Sequence, residues 1–337
     1  MLLTTYFVCF LLTVICVGVF RQYALKKGVM DIPNNRSSHT VPTPRGGGIV
    51  VVAAFLFGLI FLFFQLDEFL TFRQLMALLL GGSFIAGVGF VDDHKPLAAR
   101  WRFTTHVIAA SVTLLLFGPL PVLPFLGGDI DLGFWLFPFY IFSITWFLNL
   151  FNFMDGIDGI AGVEAISVLF TASLILILGN ELVWGQVLLL MATCILGFLI
   201  WNWPPAKIFM GDACSGFLGF MLGVFAIVTS VTSAINIWAW LILLGVFFVD
   251  ATYTLTRRLL RREKFYEAHR SHAYQRMSRR LGAHKPVTML VLKVNLLWLS
   301  PWALMASFFP SLGLIFTALA FAPIVYYVAS EGAGLPD

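Results

Sequence analysis

The chain alternates long apolar runs with short polar segments, and this pattern predicts its helices. The runs are continuously apolar, which favours α-helices over the alternating strands of a β-barrel. Because a bilayer-spanning helix needs about 20 apolar residues, we expect an all-α, polytopic integral membrane protein with about 11 transmembrane helices. They are predicted at residues 2–20, 46–65, 74–91, 103–119, 134–151, 160–179, 183–201, 213–230, 235–255, 287–307 and 310–330.

The amino-acid composition also indicates an integral membrane protein. Of the 337 residues, 60% are apolar and only 11% are charged, whereas charged residues make up about a quarter of a soluble domain. The four cysteines lie in or beside apolar runs without metal-ligand spacing, so neither a disulfide framework nor redox chemistry is indicated. No basic segment precedes the first run, which we interpret as a retained helix rather than a cleaved signal.

Basic residues predict the orientation. Nineteen of the 21 Lys and Arg residues fall in alternate loops, which makes that side cytoplasmic. The N-terminus is then outside and the C-terminus inside, with acids such as Asp67, Glu68 and Asp129 on the outer side. We expect one transmembrane domain over residues 1–337, with candidate active-site loops at 21–45, 92–102, 152–159, 202–212 and 256–286.

One polar stretch between two predicted helices has a polar residue at every third position. It contains Asn149, Asn152, Asp155 and Asp158. Carboxylates at a membrane segment are costly to desolvate and usually mark a function. On a continuous helix the first three would share a broad face, and Asp158 would lie about half a turn from Asn149. Neighbouring glycines permit a backbone break, and the combination suits a bound cation and a phosphate.

A second cluster begins with the adjacent acids Asp92 and Asp93 and continues with Lys95, Arg100 and Arg102. Adjacent carboxylates repel, so at least one should need a cation or have a raised pKa. A helix cap needs one acid, not two beside three cations, so a functional role is favoured. One carboxylate would act as a base while the cations hold an anionic substrate.

Two further loops leave alternatives open. The first contains His39, Arg45 and three glycines, whose amides would approach either a ligand or a neighbouring helix. Another contains Asp212, which would be either the N-cap of the next apolar helix or a cation ligand beside a phosphate. Phe209 in the same loop would either stack on a base or pack.

The last large loop holds ten cations and the cluster His269, Arg270 and His272. Much of its charge suits anionic lipid headgroups, but the cluster is dense enough to clamp phosphates. Asp250, in the preceding helix, would either orient this loop or pair with a nearby arginine. His284 is interpreted as incidental.

These loops together offer carboxylates, amides and phosphate-binding cations, without a Cys or His metal cage. Such oxygen-rich sites suit Mg²⁺, or Mn²⁺, bound with phosphates. The pattern predicts metal-assisted transfer of a phosphoryl-linked group between a soluble nucleotide and a lipid. Nucleic acid is not an expected partner, and a homodimer is left open.

Four motifs resemble the polyprenyl-phosphate N-acetylhexosamine-1-phosphate transferases, the glycosyltransferase 4 family, and occur in that family's order. They are Pro42-Thr-Pro-Arg-Gly-Gly, Asp92-Asp93, Asn149-x-x-Asn152-x-x-Asp155-Gly-x-Asp158-Gly and Phe209-Met-Gly-Asp212-x-x-Ser215. The resemblance spans residues 35–280. It implies transfer of N-acetylhexosamine-1-phosphate from a UDP-sugar to undecaprenyl phosphate with Mg²⁺, releasing UMP. It also implies a bacterial inner membrane with the site on its cytoplasmic face.

The resemblance further implies roles for the matched residues. Asp212 would be the principal metal ligand, with Asn152 near the metal and the diphosphate. Asp92 would be the catalytic base, and Asp93 and Asp155 would support the metal and the phosphates.

The remaining matched positions would bind the substrates. Asp158 and Phe209 would hold the uridine, and Arg270 and His272 the diphosphate or the sugar. The predicted substrate-binding set is completed by Arg45, Lys95, Arg102, Asn149 and His269.

One departure bears on the sugar. The last loop reads His269-Arg-Ser-His272-Ala-Tyr-Gln, not the His-His-His run of the muramoyl-pentapeptide translocase. It resembles the branch that initiates O-antigen synthesis for lipopolysaccharide, so the expected sugar is GlcNAc or a 6-deoxy relative such as FucNAc or QuiNAc. A muramoyl-pentapeptide substrate is disfavoured.

Two other function classes compete with a transferase. An ion- or proton-coupled transporter also carries acids in its helices, but typically near the midplane at a repeat interface. Here the acids lie at predicted cytoplasmic ends, and no repeat is evident. A scaffold of a glycan-assembly complex leaves the spacing of the acids unexplained.

Overall fold

The computed structural model describes residues 2–33, 38–66, 69–95, 97–263 and 269–336. Two short strands, β1 (Met30–Asp31) and β2 (Thr43–Pro44), pair antiparallel in the first polar loop. The helices are α1 Leu2–Lys27, α2 Ile49–Gln65, α3 Phe72–His94, α4 Ala99–Phe117, α5 Leu136–Met154, α6 Ile160–Leu178, α7 Leu182–Asn202, α8 Asp212–Thr229, α9 Ile237–Leu243, α10 Gly245–Leu260, α11 Ala273–Leu281, α12 Lys285–Lys293, α13 Ser300–Phe308 and α14 Gly313–Ser330.

The chain is a multi-pass membrane protein. In the described part of the chain, eight helical segments are long and apolar enough to cross a membrane, or nine if α9 and α10 form one span bent by 78°. Two of the eleven predicted spans are not among these nine. Helix α2 has only 17 residues, and the first turns of α4 carry Arg100 and Arg102. Eleven spans and their orientation stay predictions, and Asp67 and Glu68 lie outside the described residues.

Several helix boundaries in the structure differ from the predicted ones. Helix α3 continues through Asp92 and Asp93, and α5 continues through Asn152, so these residues lie on last helical turns rather than in loops. The predicted last loop contains the unpredicted helix α11. The predicted helix 287–307 is interrupted by a π-helix at Val294–Leu299. Hydropathy could not locate these features because polar helix ends and short amphipathic helices interrupt the apolar pattern.

Helix α8 lies at the centre of the bundle. Its residues from Ala213 to Thr229 are all buried, as expected for a helix that is apolar on every side. Glycines allow the neighbouring helices to approach it closely. A Cβ on Gly89 of α3 would lie 2.6 Å from the Asp212 carbonyl oxygen, and one on Gly219 would lie 2.6 Å from the Phe147 carbonyl oxygen. The crossing at Gly89 brings the acidic end of α3 to the first turn of α8.

The five polar loops meet at one end of this bundle. Asp212 contacts both Arg45 and Asp93, while the turn at Asp158 contacts Ala206 and the last loop through His284. The alternation of basic loops therefore identified segments that do share one side. That this side is cytoplasmic stays a prediction.

A buried acid joins α6 to the π-helix. Glu164 is fully buried, and its Oε2 accepts a hydrogen bond of 2.7 Å from Nδ2 of Asn295. The same amide group donates to Ser167 Oγ at 2.7 Å. Because an unpaired carboxyl is costly in an apolar interior, Asn295 stabilises the packing of two candidate spans.

Replacing Asn295 by Ala should lower the free energy of unfolding by about 1–3 kcal/mol, because the buried Glu164 carboxyl loses its donor. The melting temperature of the purified protein in detergent measures this loss. The double variant Glu164→Leu/Asn295→Leu removes both polar partners and should be less destabilised than Asn295→Ala combined with native Glu164. An unchanged melting temperature for Asn295→Ala would show that this hydrogen bond is dispensable.

Candidate active site

Asp93 fixes the first turn of α8. Its Oδ1 and Oδ2 accept hydrogen bonds from the backbone N–H groups of Asp212 (3.0 Å) and Ala213 (3.1 Å). Nη2 of Arg45 lies 2.5 Å from Asp93 Oδ1 and 3.1 Å from Asp212 Oδ1. One guanidinium therefore bridges two carboxylates, and Asp93 caps the helix on which Asp212 stands.

The adjacent acids Asp92 and Asp93 face different partners. Oδ2 of Asp92 lies 2.7 Å from Nη1 of Arg102 on α4, and its Oδ1 accepts a 2.6 Å hydrogen bond from the Leu97 backbone. The expectation that adjacent carboxylates require a cation is confirmed, since Asp92 has Arg102 and Asp93 has Arg45. The role of Asp92 as a base stays a prediction.

The backbone N–H groups of the three glycines after Arg45 bind carbonyl groups of the protein rather than facing a cavity. The N–H groups of Gly46 and Gly47 donate to the Phe209 carbonyl, and that of Gly48 donates to the Met210 carbonyl at 2.9 Å. A Cβ on Gly48 would lie 2.8 Å from that carbonyl oxygen. The structure thus favours the second alternative for this loop, close approach to a neighbouring segment, and this packing holds Arg45 beside α8.

The two amides of the repeating stretch lie on the last turns of α5. Asn149 Nδ2 donates to the Thr145 carbonyl of its own helix at 2.7 Å. Asn152 Nδ2 donates to Ser215 Oγ on α8 at 3.0 Å. The amides therefore follow the helical spacing, as expected, and Asn152 joins the ends of α5 and α8.

The two carboxylates of this stretch do not continue the helix. The backbone leaves α5 at Asp155, with ψ of 53°, so the expected helical offset between Asn149 and Asp158 is wrong. No described residue donates a hydrogen bond or forms a salt bridge to Asp155. Burial, and then the charge of Asp212, raise the pKa of the Asp155 carboxyl well above its usual range, whereas Arg45 opposes this. Asp155 therefore calls for a proton or a cation.

The turn after Asp155 is fixed from several sides. Asp158 Oδ2 accepts from the Ala206 N–H at 3.0 Å, and Asp158 Oδ1 lies 3.2 Å from His284 Nδ1. Gly159, with φ of 74°, begins the return into α6, and its N–H donates to Asn202 Oδ1 at 3.0 Å. A side chain at position 159 would be strained in this conformation, which explains the glycine.

Two cavities open beside Asp212. The first, called the apolar cavity, has a volume of about 290 Å³. Its apolar walls include Val88, Phe103, Phe142, Trp146, Leu148 and Phe153, and its polar end is formed by Asp92, Arg102, Asn149, Asn152 and Asp212.

The second, called the polar cavity, has a volume of about 230 Å³. It is lined by Asp31, Ser38, His39, Arg45, Asp155, Gly156, Ile157, Asp158, Asn202, Phe209, Met210, Gly211, Asp212, Gln275 and His284. The Phe209 ring stands edge-on to the His39 ring, with centroids 4.8 Å apart. Asp212 lines both cavities, so a group in one lies next to a group in the other.

Comparison with known proteins identifies the family. Residues 75–230 match the glycosyl transferase family 4 model. The phospho-N-acetylmuramoyl-pentapeptide-transferase of Streptococcus thermophilus is 32% identical over 264 residues, which cover 72% of this chain and 75% of that protein. The chain belongs to glycosyl transferase family 4.

Two other relatives cover more of the chain. The probable undecaprenyl-phosphate N-acetylglucosaminyl 1-phosphate transferase of Bacillus subtilis is 27% identical, covering 87% of this chain and 86% of its own. The decaprenyl-phosphate N-acetylglucosaminephosphotransferase of Mycobacterium tuberculosis is 26% identical, covering 83% and 76%. The family 4 relatives are thus polyprenyl-phosphate sugar-1-phosphate transferases, which favours a transferase over the transporter alternative.

Some predicted residues of this family 4 transferase do not reach either cavity. Lys95 is exposed at the end of α3. His272 is 2% exposed, with Nδ1 3.4 Å from Asp250 Oδ1. His269 stacks on His272 at a centroid separation of 4.8 Å, and the guanidinium of Arg279 donates a hydrogen bond to the backbone carbonyl of Arg270. Their substrate-binding roles stay predictions.

Asp250 holds the last loop against α10. Asp250 accepts hydrogen bonds from the backbone N–H groups of Ala273 (2.9 Å) and Tyr274 (3.0 Å), so it orients this loop by capping α11. This confirms the first of its two predicted roles. Burial, and then the charges of His272 and Arg258, lower the pKa of His269 to about 3, which favours its neutral form.

Three residues that the sequence did not single out line the polar cavity. They are Asn202, Gln275 and His284. Asn202 bonds both the Gly159 N–H and the Ile208 carbonyl, and His284 contacts Asp158. Asn202 and Gln275 carry no charge, and His284 stands apart from every motif, so only their spatial positions mark them.

Replacing Gly156 by Ala should distort the polar cavity, because the new Cβ would meet the buried hydroxyl of Tyr274. Overpacking of this kind costs about 1–3 kcal/mol, measurable as a lower melting temperature. Adding Tyr274→Phe removes that hydroxyl and should restore part of the loss. Gly87→Ala, where a Cβ has open space, serves as the control. A Gly156→Ala melting temperature equal to that of Gly87→Ala would contradict this packing.

Proposed function

We propose that this transferase moves N-acetylhexosamine-1-phosphate from a UDP-sugar to undecaprenyl phosphate and releases UMP. The observation that carries the proposal is the position of Asp212, which lines both an apolar and a polar cavity. A reaction between a lipid phosphate and a nucleotide diphosphate needs these two environments to meet at one point. Family membership supports the same reaction class.

The apolar cavity suits the lipid acceptor. Its walls are aromatic and aliphatic side chains of α3, α4 and α5, including Phe142 and Trp146, which suit an isoprenoid chain. Its polar end presents Arg102, Asn149 and Asn152. A guanidinium and amide N–H groups are suitable donors for the phosphate at the head of such a chain.

The polar cavity suits the nucleotide-sugar donor. Arg45 lines this cavity and is a suitable donor for the diphosphate, while Phe209 and Asp158 of the same wall would hold the nucleobase. An aromatic face stacks on any nucleobase, and a carboxylate accepts from the imide N–H of uracil. The uridine roles implied by resemblance therefore fall on residues that line one cavity.

The residues beside Asp212 fit a Mg²⁺ or Mn²⁺ ion bound together with phosphates. In the described residues no group of three or more His, Cys, Asp and Glu side chains forms a metal cage. Mg²⁺ uses one or two carboxylates and completes its shell with water and substrate phosphates. Asp212, Asn152 and Asp155, which has no hydrogen-bond donor among the described residues, supply that smaller set. When bound, the ion would neutralise charge on the diphosphate.

The chain's own residues would orient the transfer. An oxygen of the lipid phosphate attacks the sugar-linked phosphorus, and the bond from that phosphorus to the bridging oxygen breaks as UMP leaves. Arg102 holds Asp92 beside the acceptor head, and Arg45 lies on the donor side. Arg102 and Arg45 thus lie on either side of the reacting phosphorus, and their positive charges would stabilise the negative charge of the transition state.

The remaining features of the proposal follow from charge and resemblance. The basic loops favour the cytoplasmic face of a bacterial inner membrane and contact with anionic lipids. The sugar is GlcNAc or a 6-deoxy relative, supported by the N-acetylglucosamine transferases among the relatives. The glycan would then be a lipid-linked cell-envelope polymer such as O-antigen, made by a monomer or homodimer.

Purified protein supplied with Mg²⁺, undecaprenyl phosphate and a panel of UDP-sugars should release UMP with UDP-GlcNAc or a 6-deoxy analogue. Chelation with EDTA should stop the release, and added Mg²⁺ or Mn²⁺ should restore it. Absence of UMP release with every donor in the panel would refute the proposal.

Asp212→Ala should reduce turnover on the order of 100-fold or more, because it removes a charge at the point where the two substrates meet. Asp129→Ala, which removes an exposed acid distant from both cavities, should leave turnover unchanged. Equal melting temperatures of the two variants in detergent show that folding is not the cause. Retained turnover in a folded Asp212→Ala variant would exclude Asp212 from the reaction.

A further inference from the structure

His284 joins three of the polar loops. It immediately precedes α12, and its ring lies between two partners. Nε2 is 3.1 Å from the Ser38 carbonyl oxygen, and Nδ1 is 3.2 Å from Asp158 Oδ1. The same ring also lines the wall of the polar cavity.

These two contacts restrict the protonation of the ring. A carbonyl oxygen only accepts, so the contact with Ser38 places a proton on Nε2 of His284. Nδ1 faces two groups of Asp158, because the Asp158 backbone N–H donates to it at 3.3 Å and the carboxylate Oδ1 lies 3.2 Å away. The neutral ring accepts from that N–H, whereas the imidazolium donates to the carboxylate and gains the attraction between opposite charges. The contact with the Asp158 carboxylate therefore favours the charged form of His284.

A second residue of α12 holds the same turn. Thr288 is buried, and its Oγ1 donates to the Asp158 carbonyl at 2.8 Å. The Asp158 carboxylate also accepts from the Ala206 N–H at 3.0 Å. Each carboxylate oxygen has two lone pairs, so Asp158 retains acceptor capacity for a ligand after both contacts are made. Helix α12 thus fixes the direction in which Asp158 faces the cavity.

We propose that His284 is a positioning residue of the nucleotide site, whose positive charge holds Asp158 ready for the nucleobase and whose deprotonation weakens nucleotide binding. The proposal rests on the nucleotide role of the polar cavity given above. It adds a residue and a pH dependence that the motifs do not contain.

The surroundings of His284 support this pH dependence. Burial lowers the pKa of His284, but the hydrogen bond and charge of Asp158 and the contact with Ser38 outweigh it, so the pKa is raised above 6.5. The charged contact is then present below that pKa and is lost as the pH rises through it. The other titratable or charged groups of the polar cavity wall are Asp31, His39, Arg45, Asp155 and Asp212, and Lys285 is next in sequence.

Binding of UDP to the purified protein, measured by titration calorimetry, tests the proposal without turnover. The dissociation constant of the wild-type protein should rise above the pKa of His284. His284→Ala should bind UDP about 10-fold more weakly at low pH, through loss of a charge-assisted hydrogen bond, and its affinity should change less with pH. His284→Lys keeps a positive charge and should hold wild-type affinity further into the alkaline range.

Turnover distinguishes positioning from a general structural role. His284→Ala should raise the KM for the UDP-sugar and leave kcat and the KM for undecaprenyl phosphate near wild-type values. His94→Ala, which removes an exposed histidine, is the matched control. Wild-type UDP affinity in His284→Ala would overturn the role of His284, as would a wild-type dissociation constant that does not change with pH.

The experiments also distinguish failure of the proposed transferase reaction from failure of the proposed role of His284. A protein that binds UDP with the expected pH dependence but releases no UMP would refute the transferase reaction and retain the role of His284. A wild-type protein that does not bind UDP at any pH would refute the role of His284. If His284→Ala does not fold, the pH dependence of the wild-type protein and the His284→Lys variant decide.

Discussion

Several carboxylates are held at one end of an apolar helix bundle, and their mutual repulsion has to be offset by cations and backbone donors. Asp93 is the most heavily compensated, since two N–H groups of α8 and the guanidinium of Arg45 bind it. The same guanidinium reaches Asp212. Asp155 has no such partner among the described residues, so its carboxyl has to be neutralised by a proton or by a bound cation. The missing partner of Asp155 is the physical reason to expect a cation when phosphates are bound beside it.

The compensation depends on how closely the helices approach. Arg45 reaches Asp93 and Asp212 because the amides of the glycine loop bond the chain at Phe209 and Met210. Asp93 reaches the first turn of α8 because α3 has no side chain at Gly89. Both ion-pairing contacts therefore depend on close packing of the backbone, which only glycine allows at these positions. Asp212, which both contacts hold in place, lines both the apolar and the polar cavity.

The last third of the chain completes the site from outside the central helices. Asp250 caps α11, which brings Gln275 to the polar cavity. Helix α12 holds the turn at Asp158 through Thr288 and His284. His272, at the start of α11, is buried with its Nδ1 3.4 Å from Asp250 Oδ1. The last third of the chain therefore positions residues around the polar cavity.

The sequence alone determined the membrane class, most of the helices, and the acids and amides that gather around Asp212, because apolar length and costly charges are local properties of the chain. The glycines beside Asp155 and Asp158 indicated that a backbone break was possible, and tertiary structure decided that the chain leaves α5 at Asp155. Tertiary structure also decided that the glycine loop packs on protein, and that His272 is buried while His284 lines the polar cavity. The glycine loop and His284 contact residues more than a hundred positions away, such as Phe209 and Asp158. Spacing along one segment carries no information about which distant segment will supply the partner.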